Sequence, residues 1–227
     1  MSLRLARLSA FASVALAIGI PAQGLAEEMA FRLVPVGDAA VCGRNCIEII
    51  AAEGEIVTGT PRAFVDFVKG NLRDKRVRSV VLFHSPGGSV GASMQLGMVL
   101  RNIGAATVVA RARNGGGEKT SGFSAGRCYS ACVYALMGGK RRVVPPESEV
   151  GIHRSYSIYV GADPGREYAG SRVQVDNGAT GAAIARYSDL MGISRDLINS
   201  AQKTLPDSIH ILTRDEITRW HLGAPKL

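Results

Sequence analysis

Aromatic side chains are scarce in this sequence, with one tryptophan, six tyrosines and six phenylalanines in 227 residues. Its arginines are scattered and no aromatic-basic stripe or recognition motif accompanies them, so nucleic acid is not expected as a partner. No paired-histidine helix motif or carboxylate cluster is present, and neither a catalytic metal nor a cofactor is expected. Beyond residue 26 no apolar stretch approaches the roughly 20 residues that a membrane-spanning helix needs. Internal repeats and low-complexity linkers are missing as well, which leaves no place to cut the chain into two domains. What is present is 46% hydrophobic and 20% charged residues. That composition excludes the disordered and fibrous classes and supplies enough apolar material for one sizeable core.

The amino end reads differently from the rest. Arg4 and Arg7 precede a mostly apolar run from Leu8 to Ile20, followed by Pro21 and the small-residue end Gly24-Leu25-Ala26. The pattern predicts a secretory signal peptide over residues 1–26, cleaved after Ala26, and a single domain over residues 27–227. The formal charge of +8 falls to +6 once Arg4 and Arg7 leave with the leader, which fits weak attraction to anionic envelope surfaces as well as plain solubility.

All four cysteines follow the leader, as Cys42-x3-Cys46 and Cys128-x3-Cys132. An oxidising compartment makes disulfides the default, and four cysteines allow three pairings. A zinc site built from all four would need reduced thiolates, and the spacing is loose for a zinc ribbon. The local pairings are favoured, on the condition that Cys128 stands outside regular helix, because Cβ atoms four apart on a helix are too far separated.

Residues 31–36 and 47–57 read as strands, Thr60-Pro61 opens a helix, and Val77 to Phe83 is a β-branched run suited to a buried parallel strand. A helix to about Ile103, a strand Ala105 to Ala110, a Gly/Ser-rich loop Asn114 to Gly126 and an apolar helix near Tyr129 to Met137 follow. Arg141 to Val144 and Val150 to His153 read as strands, Val173 to Met191 as an interrupted helix, and Ser194 as the cap of a longer one. Ile209 to Leu212 is a further strand, and Thr213-x-x-Glu216 is a capping box. Alternation of strand and helix predicts an α/β class with largely parallel pairing.

Two glycine-bearing turns stand out. His84-Ser85-Pro86-Gly87-Gly88-Ser89 places flexible backbone between a strand and a helix, where unpaired N–H groups can hold an oxyanion. Gly126-Arg127-Cys128-Tyr129-Ser130-Ala131-Cys132 leads into an apolar helix with Ser130 in its first turn, either as a nucleophile or simply as a cap. His153, at the end of a strand, can reach a neighbouring loop and act as general base. His84 is an alternative base or ligand, though a strand-capping role suits it better.

In that order the sequence resembles the ClpP/crotonase superfamily, closest to the ClpP-type serine peptidases and more narrowly to exported ClpP-like proteins of Gram-negative bacteria. The matching stretch runs from Val77 to Arg154, with looser similarity to Trp220-His221-Leu222-Gly223. The resemblance implies a single-domain spiral of ββα units, a periplasmic location, Ser130 as nucleophile and His153 as general base. It implies an oxyanion hole from the N–H groups of Gly88 and Ala131, and cleavage of a peptide or ester through an acyl-enzyme. The family's late Asp aligns most nearly with Asp207, ahead of Asp196 and Asp189. Lys119 would be the base by analogy with the related signal-peptide peptidases of the SppA type, but it sits in the Gly-rich loop.

Departures from the family also shape the expectation. Cys128 and Cys132 bracket the serine, and the loop Arg111 to Gly126 is long enough to cover the site. An exported protein has no ATP supply, so no ATPase partner is expected and the substrate is a short or unfolded polypeptide. Homo-oligomers are common in the superfamily. The rival reading is a non-catalytic envelope binding protein or scaffold. An acyl-CoA enzyme of the crotonase branch would share the turns but not the Ser/His pair.

Overall fold

A computed structural model describes residues 27–71, 73, 76–113, 122–161, 170–175 and 179–226. The leader and its cleavage point, and Lys119, lie outside the described residues. In chain order the elements are β1 (Ala30–Val36), α1 (Ala39–Cys42), β2 (Ile47–Glu53), α2 (Thr60–Asn71), β3 (Val77–His84), α3 (Val90–Asn102) and β4 (Ala106–Ala112). They continue with β5 (Phe123–Ala125), β6 (Arg127–Tyr129), α4 (Cys132–Met137), β7 (Arg141–Val143), β8 (Glu149–Ile152), β9 (Tyr156–Gly161) and β10 (Gly170–Val175). The last are α5 (Ala179–Met191), α6 (Arg195–Lys203), β11 (His210–Ile211) and α7 (Arg214–Arg219).

The larger sheet runs β1-β2-β3-β4-β5, with β7 also on β4. Its centre is parallel, as the β-branched run in β3 predicts for a strand covered on both faces. β1 and β5 pair antiparallel at either side. A smaller sheet orders β11-β8-β6, with β6 and β8 parallel and β11 antiparallel to β8. β9 and β10 form a separate antiparallel pair.

This arrangement corrects the expected ClpP/crotonase-like spiral. A spiral of ββα units repeats one strand-strand-helix step, whereas here single strands alternate with helices from β2 to β4 and the pairing is mixed. After β4 the chain folds back as β5, then leaves for the smaller sheet as β6, whose partner β8 comes later in the chain. The helix expected from Val173 also begins later, at Ala179, because β10 occupies residues up to Val175.

The helices pack through small residues. α3 buries Ala92, Ser93, Leu96, Gly97 and Leu100, a spacing of about four that lays one stripe against the core. A side chain on Gly97 would collide with the Tyr187 hydroxyl, which donates to the Tyr134 carbonyl at 2.7 Å. All six residues of α4 are buried. Arg142 donates to the carbonyls of Met137, Gly139, Met191, His221 and Leu222, and Arg101 to those of Met137 and Met191. Two cations thus sit where α4 and α5 end and their last carbonyls lack partners. Burial first, then the nearby Arg101 charge, lowers the pKa of Arg142. Thr213 and Glu216 form the predicted capping box at α7. No helix among the described residues is long and apolar enough to cross a membrane.

Candidate active site

The two glycine and serine turns lie side by side. Ser85 N–H donates to the Arg127 carbonyl at 2.7 Å, and Tyr129 N–H donates to the Ser85 carbonyl at 3.1 Å. Gly87 and Gly88 have φ of 113° and 130°, in the region that favours glycine. Space demands glycine as well: a Cβ on Gly87 would stand 2.8 Å from the Ser130 Cβ, and one on Gly88 would stand 2.2 Å from the Ile56 carbonyl oxygen. Ile56 fixes this turn, donating to the Gly87 carbonyl and accepting from Ser89 N–H, both at 2.7 Å.

Ser130 sits between β6 and α4, two residues before the helix rather than in its first turn. Its φ of 54° is left-handed, a conformation that costs an L-residue about 1–2 kcal/mol. Its own N–H is committed to the Gly151 carbonyl of β8 at 2.8 Å. The N–H groups of Gly88 and Ala131 have no hydrogen-bond acceptor among the described residues. Cys128 at the centre of β6 and Cys132 at the start of α4 are joined by a disulfide that closes a loop around the serine, and both are fully buried. Cys128 is therefore outside helix, as that pairing requires. Cys42 and Cys46 form the other disulfide.

Ser130, His153 and Gly88 line one cavity of about 430 Å³, together with Glu55, Pro86, Gly87, Val90, Tyr134, Ser155 and Tyr156. A hollow of about 320 Å³ shares Gly88, Val90, Ser155 and Tyr156 with it and continues to Thr180. His153 Nδ1 is 2.9 Å from the Arg154 carbonyl oxygen. That oxygen can only accept, so Nδ1 carries the proton of the neutral ring and Nε2 keeps its lone pair. The ring packs against Tyr156, with centroids 5.7 Å apart. Among the described residues no direct hydrogen bond joins Ser130 and His153.

Asp207 is not drawn into this group. It is exposed in the turn after α6, away from the cavity lining. Asp189 is engaged by Arg195 at 2.6 Å, which lowers its pKa, and Asp196 accepts from the Ser194 hydroxyl. His84 accepts from Arg127 N–H through Nδ1 at 3.2 Å and does not line the cavity. Burial, and then the charges of Arg111 and Arg127, lower its pKa, against the opposing effect of Glu53. Glu55, Tyr134, Ser155 and Tyr156 escaped the sequence reading. Of these, Ser155 and Tyr156 had a trace in their closeness to His153. Among the described residues no three His, Cys, Asp or Glu side chains converge as a metal site.

No family model and no curated protein matches the chain. Among solved structures, a mutant of the 1510-N membrane-bound stomatin-specific protease matches with a TM-score of 0.50 and 13% identity, over 76% of this chain and 75% of that one. The fold is similar to a protease's. This corrects the expected resemblance to ClpP/crotonase proteins, since the structural likeness points to the stomatin-specific protease and no family model supports the superfamily. At this identity the likeness concerns the fold, so the chemistry must be argued from the cavity itself.

Proposed function

We propose that the protein is an exported serine hydrolase, a peptidase that acts without ATP on short or unfolded polypeptides. The observation that carries this reading is the strained φ of Ser130 in the cavity that His153 and Gly88 also line. A serine on a tight strand-to-helix turn presents its hydroxyl outward, and strain at such a position marks functional sites. In this reading the Ser130 oxygen bonds to the substrate carbonyl carbon while its proton passes to His153 Nε2. The carbonyl π pair moves to oxygen, which the N–H groups of Gly88 and Ala131 receive. Collapse breaks the bond to the leaving amine, which takes the proton from Nε2. Water, deprotonated in turn by Nε2, then releases the acyl group and restores the serine.

The Arg154 carbonyl fixes the imidazole tautomer in place of a carboxylate. A neutral dipole stabilises the imidazolium less than an anion does, so turnover is expected to be slower than that of a full Ser-His-Asp triad. Disulfides at Cys42–Cys46 and Cys128–Cys132 suit a periplasmic setting.

Fluorophosphonate labelling of the oxidised protein, with mass spectrometry to locate the adduct, tests the reading. Labelling at Ser130 is expected, to be abolished in Ser130→Ala and reduced at least about a hundredfold in His153→Ala, the scale of general-base catalysis. Folded protein that labels no better than Ser130→Ala would instead favour a binding protein. The missing direct bond between Ser130 and His153 among the described residues is what favours that second reading.

A further inference from the structure

One wall of the cavity has no part in the reaction just described. Glu55 follows Gly54, whose φ of 115° turns the chain out of β2. Its backbone is held on both sides, with its N–H donating to the Glu27 carbonyl and its own carbonyl accepting from Met29 N–H, each at 2.7 Å. Its Cγ lies 3.0 Å from the place a Cβ on Gly88 would occupy, so the side chain runs along the Gly88 turn. It is half-buried, and among the described residues no cation or hydrogen-bond donor engages its carboxylate. Among the described residues it is also the one carboxylate lining the cavity.

A carboxylate whose side chain runs along the Gly88 turn, on the lining of the same cavity, bears on the chemistry there. Negative charge developing on the substrate oxygen there would be repelled by it, and a half-buried site screens that repulsion less than bulk water does. A cation on the substrate removes the penalty by pairing with Glu55. The pairing gains most when the oxyanion forms, so it favours the transition state over the bound substrate. The rings of Tyr134 and Tyr156 on the same lining suit an ammonium or guanidinium further, since cations are attracted to aromatic faces.

We infer that Glu55 is a specificity-determining residue that selects substrates carrying an ammonium or guanidinium group close to the scissile carbonyl. A lysine or arginine side chain and a free peptide amino terminus share this chemistry. The kinetic part of the inference rests on the hydrolase reading, whereas the recognition of a cation does not.

The test uses p-nitrophenyl esters of Nα-acetyl-lysine, Nα-acetyl-norleucine and unblocked norleucine with the oxidised protein and its Glu55→Gln variant. The acetyl-lysine ester is expected to exceed acetyl-norleucine by about tenfold or more in kcat/KM, in line with one specificity contact, and to approach parity in Glu55→Gln. The variant should also hydrolyse the acetyl-norleucine ester faster than the parent does, through kcat, which loss of a merely structural residue would not produce. A preference for unblocked norleucine instead would assign the cation to a free amino terminus. Agmatine binding to Ser130→Ala, followed by the NMR resonances of His153, supplies an arm independent of hydrolysis. Binding should be lost in Ser130→Ala/Glu55→Gln. If no ester is cleaved, the hydrolase reading fails and the agmatine arm alone decides. An unchanged ester ratio in Glu55→Gln, or agmatine binding indifferent to that change, overturns the inference.

Discussion

Cys42–Cys46 and Cys128–Cys132 have the same spacing and close loops of the same length, yet they stand in different surroundings. The first closes a surface loop whose residues 43–45 are all exposed, with Cys42 half-buried and Cys46 buried, and the second has both cysteines fully buried beside Ser130. Loop-closure entropy depends on length, so each constrains the unfolded chain by about 2 kcal/mol. Any difference between them must come from the folded state. The buried bridge ties the strand before the serine to the helix after it, where residue 130 is held in a left-handed conformation. Spacing alone therefore says nothing about which disulfide supports a site.

The largest contrast is expected from removing each bridge in turn. Cys128→Ala with Cys132→Ala should cost about 4 kcal/mol, the loop term plus two lost core sulfurs, and slow labelling of Ser130 at least tenfold. Cys42→Ala with Cys46→Ala should cost about 2 kcal/mol or less and leave labelling unchanged. Urea unfolding and labelling rates on the same samples check both; equal labelling in the two variants would erase the distinction.

A glycine in each region sharpens the comparison with a smaller effect. Gly87→Ala places a Cβ against Ser130 and the Tyr129 carbonyl in a left-handed backbone, and should cost about 3 kcal/mol together with the labelling. Gly43, inside the surface loop, has φ of 55° with open space around it. Gly43→Ala should cost only about 1 kcal/mol, the backbone strain, and spare the site.

How far these regions could be read from sequence differs in the same way. β2, β3, α3 and β4 were legible because each is long enough to show its period, and Ser194 and Thr213 marked helix starts through cap chemistry. β6 was hidden, since Arg127-Cys128-Tyr129 is too short for any period and its pairing with β8 is made across more than twenty residues. The mixed topology was therefore missed. Of the site, Ser130, His153 and the glycine turn carried readable side chains or turn chemistry. The group that holds the imidazole did not, because it is a backbone carbonyl, and every residue has one.

The smallest expected effect separates the two histidines near the turns. His84 accepts a proton donor through Nδ1, so protonation removes the bond from Arg127 N–H in the strand that leads to Ser130. Its pKa is lowered by burial and by Arg111 and Arg127, so the unfolded chain takes up the proton first as pH falls below its ordinary value of 6.5. Stability should then decline on acidification until the folded pKa is passed. His84→Gln should flatten that decline in thermal melts between pH 7 and 5, and an unaltered slope would assign it to other groups.

The bond from Ser130 N–H to Gly151 also sets an order of assembly. Gly151 belongs to β8, which is held by β11 much later in the chain, while Ala224 bonds to Arg142 and Val144 on either side of Val143 in β7. A chain made from its amino end thus possesses its serine long before it possesses the strands that hold that serine in place. A chain that stops short of β8 and β11 therefore carries Ser130 without the strands that hold its backbone.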